Sequence, residues 1–362
     1  KVTGANISVR VTDEFMNAVK LSQRYEQRWP VDAVDPDISN KDLYAQEVWN
    51  ALIESAHASA EPGVLFWDTA KRNTPSDIYE AQGFGSVSTN PCGEIILSPY
   101  DSCRLMLVNL TSFVQNAWTQ EAYFEWGKFA EIVQKAQRLM DDMIDLELEQ
   151  IDKIMEKIKS DPEPDSVKQT ELRLWHKIKR AAGVGRRTGL GITGLGDCIA
   201  MLNQQYGDPE SIKTTEEIYK WLAQNSYESS IQLAKERGAF TCWVHEKEKD
   251  HPFLQRIISS LLPERQEDYK KYGRRNIANT TTAPAGSVSC LTQTTSGIEP
   301  AFMLYYKRRK KVQNDEEVTF VDELGDKWTE YLVYHHKFKE WMEFTSECEW
   351  QVDDNPDNAV SH

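Results

Sequence analysis

A pentapeptide built around one cysteine holds the residue types best suited to chemistry. In NPCGE (residues 90–94), Cys92 stands between an asparagine and a glutamate, and Cys103 follows it by eleven positions. Proline fixes its own φ and lacks an N–H, whereas glycine accepts a positive φ. The proline and glycine beside Cys92 therefore predict a tight loop that holds the thiol at its tip. We call residues 86–109 the cysteine loop.

The polar side chains of this pentapeptide suggest a reaction centre. In an extended loop, side chains two positions apart point the same way, so Asn90, Cys92 and Glu94 are predicted to face one ligand together. A cysteine acts as a nucleophile or hydrogen-atom donor, a glutamate accepts a proton, and an asparagine both donates to and accepts from a hydroxyl. The alternative interpretation is a buried structural thiol beside a solvated glutamate, because free cysteines are often buried.

Composition narrows the classes of function. The 362 residues carry a formal net charge of −15. We expect no nucleic-acid partner, because surfaces that bind nucleic acid neutralise phosphates with a basic face. A small anionic ligand is compatible with this charge, since backbone N–H groups bind anions locally. No apolar run is long enough to span a membrane, so no membrane partner is predicted. The opening KVTGANISVRV predicts a strand and not a signal peptide, and we expect a piece of a longer protein.

The six cysteines are scattered along the chain with no CxxC pair, and histidine is scarce. Structural zinc needs closely spaced Cys and His ligands, so no metal site is predicted. Scattered cysteines fit a reducing cytoplasm. Outside the cysteine loop, we interpret the cysteines as small buried hydrophobic residues, namely Cys198, Cys242, Cys290 and Cys348.

Alternating strand and helix patterns predict an α/β fold with a mainly parallel sheet. Strands are predicted near residues 6–11, 63–67, 85–88 and 105–110. Helices are predicted near residues 40–60, 119–159, 215–236 and 327–342. Residues 276–306 predict two strands around a loop, and the pair His335 and His336 is placed on a solvated helix face.

A glycine-rich stretch, GLGITG (residues 189–194), matches the GxGxxG dinucleotide fingerprint. That fingerprint follows a strand and has an acidic residue about 20 positions later, whereas Asp197 comes too early here. We favour glycines that allow close packing between a strand and a helix.

Four blocks of sequence, in this order, resemble the catalytic subunit of ribonucleotide reductases. They are VTGANISVRVTDEFM (residues 2–16), the cysteine loop, GRRTGLGITGLGD (residues 185–197), and TAPAGSVS with SGIEPAF (residues 282–302). The eleven-residue cysteine spacing is closest to the class II branch, which depends on adenosylcobalamin. The resemblance implies a ten-stranded α/β barrel with many helices and a central finger loop. We expect a fragment of that barrel, without the N-terminal part and the C-terminal tail.

The resemblance also implies roles for the loop residues. Cys92 would become the thiyl radical that takes a hydrogen atom from the ribose 3′ carbon. Glu94 would exchange a proton with the 3′ hydroxyl, and Asn90 would position the ribose hydroxyls. Cys103 would belong to the thiol pair that reduces the 2′ carbon, becomes a disulfide, and is reset by a thioredoxin-type reductant. The partner thiol is expected upstream of this sequence.

The segment TAPAGSVS (residues 282–289), called the phosphate segment below, is expected to bind the substrate's phosphates. Successive N–H groups and hydroxyls around a glycine form an anion site. An ordinary Ser/Thr turn is the alternative. With the resemblance, substrate binding is assigned to Ser88, Thr282, Ala285, Gly286, Ser287 and Ser289.

The implied activity is reduction of ribonucleoside diphosphates, or triphosphates, to 2′-deoxyribonucleotides. Residues 1–310 are expected to form part of the catalytic barrel, with the finger loop near 85–110 and the phosphate-binding segment near 280–302. Residues 311–362 are expected to be a truncated C-terminal elaboration. Nucleotide effectors and a homodimer of the intact enzyme are also implied.

Two alternatives remain open. One is a class I large subunit, whose radical comes from a separate subunit. The cysteine spacing and the Pro-Cys-Gly context weigh against it. The other is a non-catalytic or split-gene half that needs a complementary chain, which the absent upstream cysteine supports.

Overall fold

The chain is described by a computed structural model over residues 5–30, 33–40, 43–102, 104–313 and 317–345. It divides into two compact units. Unit 1 comprises Lys1–Cys103, Ile151–Arg186 and Phe240–Ser259, and unit 2 comprises Arg104–Gln150, Arg187–Ala239 and Ser260–His362.

The strands are short and pair in small sheets. In chain order they are β1 (Ser8–Val11), β2 (Gln27–Trp29), β3 (Asp37–Asn40), β4 (Gly63–Phe66), β5 (Ser88–Thr89), β6 (Ile96–Leu97), β7 (Leu105–Asn109), β8 (Val114–Gln115), β9 (Tyr123–Phe124), β10 (Gly189–Thr193), β11 (Tyr305–Lys311), β12 (Phe320–Val321) and β13 (Lys327–Tyr334). Parallel pairs join β1 to β4 and β7 to β10. Antiparallel pairing joins β2 to β3, β5 to β6, β8 to β9, and both β11 and β12 to β13.

The helices account for much of the chain. They are α1 (Asp13–Lys20), α2 (Ala45–Ser59), α3 (Trp67–Asn73), α4 (Trp126–Ser160), α5 (Asp165–Gly185), α6 (Leu195–Met201), α7 (Pro209–Arg237), α8 (His245–Glu248), α9 (Pro252–Ile258), α10 (Pro263–Tyr272), α11 (Gly286–Thr292) and α12 (His336–Phe344). Short 3₁₀ helices cover Pro75–Gln82 and Leu110–Phe113. The predicted mixture of helices and strands is confirmed, but the sheets are mixed rather than mainly parallel. No closed barrel forms among the residues described.

In unit 1, β1 leads into α1 and then pairs with β4. Thr12 caps α1, because its Oγ1 accepts a hydrogen bond from the Phe15 N–H at 3.1 Å. Phe15 belongs to a small apolar core shared by β1, α1 and the start of α2. On β1, the Arg10 guanidinium stacks 4.8 Å from the Trp67 ring centroid and donates to the carbonyl of Val87 at 3.5 Å. Arg10 thus connects the parallel strand pair to the beginning of the cysteine loop.

In unit 2, β10 lies at the centre of the apolar core. All five of its residues are buried, and the core adds side chains of β7, α4, α6 and α7. Residues 278–281 run beside β10, since Leu190 N–H donates to Asn279 O at 2.8 Å and Thr281 N–H donates to Leu190 O at 3.0 Å. The backbone that enters the phosphate segment is therefore fixed against the core strand.

Glycines of residues 189–196 serve close packing, but not between a strand and a helix as we favoured, since Gly191 on β10 packs against Thr281 and β7, and Gly196 on α6 packs against the loop at residues 299–300. A Cβ added to Gly191 would lie 2.8 Å from Thr281 O, and one added to Gly196 would lie 2.6 Å from Pro300 Cα. Two glycines of the supposed dinucleotide fingerprint lie inside β10 rather than in a turn after it. The fingerprint interpretation is therefore excluded.

We expect Gly196→Ala to lower the free energy of unfolding by about 1–3 kcal/mol, because the new methyl group meets backbone atoms that cannot move aside. Urea denaturation followed by circular dichroism measures this loss. Gly127→Ala is the control, since a Cβ there meets no atom within 4 Å, and it should cost no stability. Equal stability of the two variants would contradict the packing argument.

Two predictions near the C-terminus were wrong. Residues 327–342, predicted as a helix, form β13 and then α12. The sequence KWTEYLVY is rich in aromatic and β-branched residues, which suit a strand. Residues 276–306, predicted as two strands around a loop, contain α11 and only the beginning of β11.

Candidate active site

The cysteine of NPCGE lies at the tip of a β-hairpin. The hairpin pairs Ser88 with Leu97 and Thr89 with Ile96. Between these strands, Gly93 N–H donates to Asn90 O at 3.0 Å, which closes a four-residue turn. Gly93 has a φ of +81°, a conformation that favours glycine. Cys92 is exposed, so the predicted tight loop with a thiol at its tip is confirmed.

The expectation of an extended loop was wrong, because residues 90–93 form a hydrogen-bonded turn. The alternation of side chains therefore does not apply to Asn90, Cys92 and Glu94. The Asn90 side-chain oxygen accepts from Ile95 N–H at 3.0 Å, and Asn90 N–H donates to Ile95 O at 3.2 Å. Asn90 thus holds the turn closed, beside a half-buried Glu94. Ser88 is exposed on β5 of the same hairpin.

Residues that the sequence analysis missed anchor this hairpin. The Asp77 carboxylate accepts hydrogen bonds from the Ser86 N–H at 2.9 Å and the Ser86 hydroxyl at 2.6 Å. The buried Ser98 hydroxyl donates to Phe84 O at 2.7 Å. Nothing in the sequence pattern pointed to Asp77, because it lies within the 3₁₀ helix Pro75–Gln82, nine positions before Ser86.

Cys103 lies outside the described residues. Its neighbour Arg104 is buried in unit 2. Arg104 forms a two-pronged ion pair with Glu147, with one Nη2–Oε1 distance of 2.9 Å, and donates to Arg187 O at 3.1 Å. The chain is therefore firmly held immediately after Cys103.

The phosphate segment combines anchored and exposed groups. Ala285 N–H donates to Ser296 O at 2.9 Å, and the Ser289 hydroxyl donates to Gly286 O at 2.8 Å. Gly286, Ser287 and Thr282 are exposed. A Cβ added to Gly286 would meet no atom within 4 Å. The open side of the segment therefore lies at Thr282, Gly286 and Ser287.

A contact to His335 supports the neighbouring loop. The buried Asp197 accepts from Thr295 N–H at 2.8 Å through Oδ2, while its Oδ1 lies 2.6 Å from His335 Nε2. His335 N–H donates to Leu304 O at 2.7 Å. The placement of His335 on a solvated helix face was wrong, because its ring reaches a carboxylate that is distant in sequence.

A buried polar network in unit 2 holds the chain that precedes the phosphate segment. Asn276 donates to Asp141 Oδ1 at 3.0 Å and accepts from Gln137 at 3.1 Å and from the Ser230 hydroxyl at 2.8 Å. Arg275 Nε donates to Asp141 Oδ2 at 3.3 Å. Because Asn276 lies two positions before residues 278–281 beside β10, this network holds the chain that leads to Thr282.

The remaining cysteines differ in exposure. Cys198 is buried as predicted, and burial, followed by the charge of Asp197, raises the pKa of its thiol. Cys242 is half-buried and Cys290 is exposed, so the prediction was wrong for Cys290. Cys348 lies outside the described residues.

Neither a metal cluster nor a membrane span occurs in the described part of the chain. Its residues include no group of three or more His, Cys, Asp or Glu side chains arranged to hold a metal ion. Among the helices described there, none combines the length and apolar character that a membrane crossing requires.

The family follows from a comparison with known proteins. A family model described as "Ribonucleotide reductase, barrel domain" matches residues 1–343. The chain belongs to the ribonucleotide reductase barrel family. Membership confirms the family that the four sequence blocks resemble.

Several ribonucleotide reductases are similar to this barrel chain. A vitamin B12-dependent ribonucleoside-diphosphate reductase of Thermoplasma acidophilum is 29% identical over 332 residues, covering 90% of this chain and 35% of the relative. One of Mycobacterium tuberculosis is 29% identical over 307 residues, covering 84% of this chain and 36% of the relative. The chain therefore spans about a third of the length of these relatives.

A solved structure supports the fold alone. The alpha subunit of the Actinobacillus ureae class Id ribonucleotide reductase aligns with a TM-score of 0.52 and 20% identity. The alignment covers 83% of this chain and 44% of that subunit.

Proposed function

We propose that this chain carries the radical loop and the substrate-phosphate segment of a ribonucleotide reductase. The full protein would convert ribonucleoside diphosphates, or triphosphates, into 2′-deoxyribonucleotides. The exposed thiol of Cys92 at the tip of a closed turn carries the proposal. The two similar proteins named as ribonucleoside-diphosphate reductases favour a diphosphate substrate.

The proposed chemistry begins at Cys92. Its thiyl radical takes a hydrogen atom from the ribose 3′ carbon, so that an S–H bond forms and a C3′–H bond breaks. Glu94 holds the proton of the 3′ hydroxyl, and Asn90 contributes to positioning the ribose. The 2′ hydroxyl leaves as water, and Cys103 and a second thiol supply the two electrons and the hydrogen for C2′ as they are oxidised to a disulfide. Cys92 then returns its hydrogen atom to C3′, which restores the thiyl radical, and a thioredoxin-type reductant reduces the disulfide again.

Adenosylcobalamin is the proposed cofactor. When bound, it supplies the radical through homolysis of its cobalt–carbon bond. The chain's own contribution fits this chemistry, because Cys92 is exposed on a turn whose shape is fixed by hydrogen bonds. Such a thiol is accessible to a radical generated outside the hairpin.

We propose Thr282, Gly286 and Ser287 as the principal contacts to the substrate's phosphates, supported by Ala285, Ser289 and Ser88. The first three are exposed, and the position above Gly286 is open. The Ala285 N–H and the Ser289 hydroxyl already donate within unit 2. Those two groups would shape the segment rather than bind the ligand.

The finer architecture is also a proposal. Residues 1–310 would contribute to a ten-stranded barrel around the finger loop, and residues 311–362 would elaborate it. Nucleotide effectors, a homodimer of the intact enzyme and a cytoplasmic location complete the proposal. The barrel family and the similar A. ureae fold support the architecture.

Turnover with a defined radical source tests the proposal. We expect the full-length protein to convert CDP to dCDP with adenosylcobalamin and a dithiol, and with no second protein. Chromatography of the dephosphorylated products measures the conversion, and hydroxocobalamin is the control. A requirement for a separate radical-generating subunit would favour the class I alternative. If no deoxynucleotide forms either with adenosylcobalamin or with a separate radical-generating subunit, the proposed activity is wrong.

A further inference from the structure

A hydroxyl on α7 reaches the first residue of the phosphate segment. The Tyr219 hydroxyl lies 3.1 Å from Oγ1 of Thr282, and both residues belong to unit 2. Thr282 is exposed and is a proposed phosphate contact. Tyr219 therefore contacts a side chain that is proposed to bind the substrate's phosphate.

The ring of Tyr219 is held by the core of unit 2. It is half-buried and packs against that core together with Trp126 and Trp221. The two tryptophan rings are themselves 5.4 Å apart between centroids. Because a tyrosine has few rotatable bonds, packing of its ring fixes the position of its hydroxyl.

The backbone around Thr282 is fixed as well. Its neighbours Thr281 and Ala283 are buried, and Thr281 N–H donates to Leu190 O at 3.0 Å on β10. The Thr282 side chain is left exposed between two anchored residues. Its remaining freedom is the rotation of the side chain and of its hydroxyl hydrogen.

A phosphate ligand determines which of the two hydroxyls, Tyr219 or Thr282, donates the hydrogen bond between them. Phosphate oxygens accept hydrogen bonds, so Thr282 must donate its hydroxyl hydrogen to bind one. Tyr219 must then donate to Thr282 Oγ1. Burial raises the pKa of the Tyr219 hydroxyl, with the hydrogen bond to Thr282 as a smaller opposing cause. Tyr219 therefore retains the proton that it has to donate at neutral pH.

We infer that Tyr219 is a positioning residue of the substrate-phosphate site, donating to Thr282 so that the Thr282 hydroxyl points its hydrogen at a phosphate oxygen. The inference rests on the proposed phosphate site. It assigns the discrimination between a nucleoside diphosphate and its parent nucleoside partly to a residue that touches no ligand. Two hydrogen bonds in series also polarise each other, which strengthens the outer bond.

Tyr219→Phe in the full-length protein tests the inference, because it removes the hydroxyl and keeps the ring. We expect the Kd for CDP, measured by equilibrium dialysis, to rise about 5- to 20-fold, the effect of weakening one hydrogen bond to a charged acceptor. The Kd for cytidine should stay unchanged. In turnover, KM for CDP should rise while kcat at saturating CDP is retained.

Matched variants separate the inference from the proposed site. Tyr123→Phe is the control, because it also removes a tyrosine hydroxyl of unit 2, but from an exposed side chain of β9 that has no proposed role, and its CDP affinity should equal that of the parent. Thr282→Val should weaken CDP binding at least as much as Tyr219→Phe. The double variant should bind no more weakly than Thr282→Val alone, since both changes remove one donor chain.

Three outcomes would overturn the inference in different ways. If Thr282→Val weakens CDP binding while Tyr219→Phe does not, the positioning role is wrong and the phosphate site stands. If Thr282→Val and Gly286→Val both bind CDP as tightly as the parent, the phosphate site itself is wrong. An equal loss of cytidine and CDP affinity in Tyr219→Phe would indicate a general structural role.

Discussion

Cys92→Ser in the full-length protein should release no tritium from substrate labelled at the ribose 3′ carbon. The serine O–H bond is stronger than the cysteine S–H bond, so the hydroxyl does not become the hydrogen-atom acceptor that the thiyl radical provides. We expect dCDP formation to fall by at least about 10⁴-fold, the order of loss when an enzyme loses a residue that reacts with substrate. Tritium release and product formation are measured in the same reaction with adenosylcobalamin.

The control for this experiment is Cys242→Ser. Cys242 is a half-buried thiol in the same unit as Cys92 and has no proposed role, so its activity should be retained. The turn at Cys92 is closed by the backbone and by Asn90. Serine therefore leaves the turn intact, which an unchanged urea midpoint would verify. Retained tritium release in Cys92→Ser would refute the radical assignment.

Among the variants proposed for stability measurements, Asp141→Ala should lose the most, about 3–5 kcal/mol in the free energy of unfolding. The Asp141 side chain is completely buried, and it accepts from Asn276 and from Arg275. Arg237 Nη1 lies 3.5 Å from the same carboxylate. Removing the carboxylate takes this acceptor away from the buried Asn276 amide and from the mostly buried Nε of Arg275, and breaking a buried pair by removing one partner costs more than the pair itself contributes. Urea denaturation of the full-length protein measures the change.

Asp142→Ala is the matched control one residue away. Asp142 pairs with the same Arg237 at 2.6 Å, but 45% of its side chain is exposed. An ion pair with this degree of exposure contributes about 0–1 kcal/mol to the free energy of unfolding. Equal losses for the two variants would show that burial of Asp141 is not what makes it important.

In the cysteine loop, the sequence predicted only the features that depend on the residue itself and its immediate neighbours. Proline before Cys92 fixes its own φ, and glycine after it accepts the positive φ that the turn requires, so the tight turn was predictable. The relative placement of Asn90 and Glu94 was not predictable, because it depends on the two hydrogen bonds between Asn90 and Ile95. Side-chain hydrogen bonds to nearby backbone compete with the extended conformation that alternation assumes.

Contacts between residues far apart in the chain were beyond prediction from one sequence. Tyr219 is 63 positions from Thr282, and His335 is 138 positions from Asp197. Neither pair has a spacing that any helix or strand period would reveal. The glycines near β10 were predictable because packing restricts the type of residue itself, whereas a tyrosine or histidine is compatible with many surroundings.

The hydrogen bonds that close the turn at Cys92 would affect how tightly the proposed substrate binds. Asn90 and Gly93 adopt the shape of the loop when the protein folds. The loss of chain entropy for these residues is therefore part of the folding equilibrium and does not subtract from the free energy of binding. In the proposed function, a ribonucleotide that reaches Cys92 would meet a loop already ordered, so its affinity would not be reduced by the cost of ordering that loop.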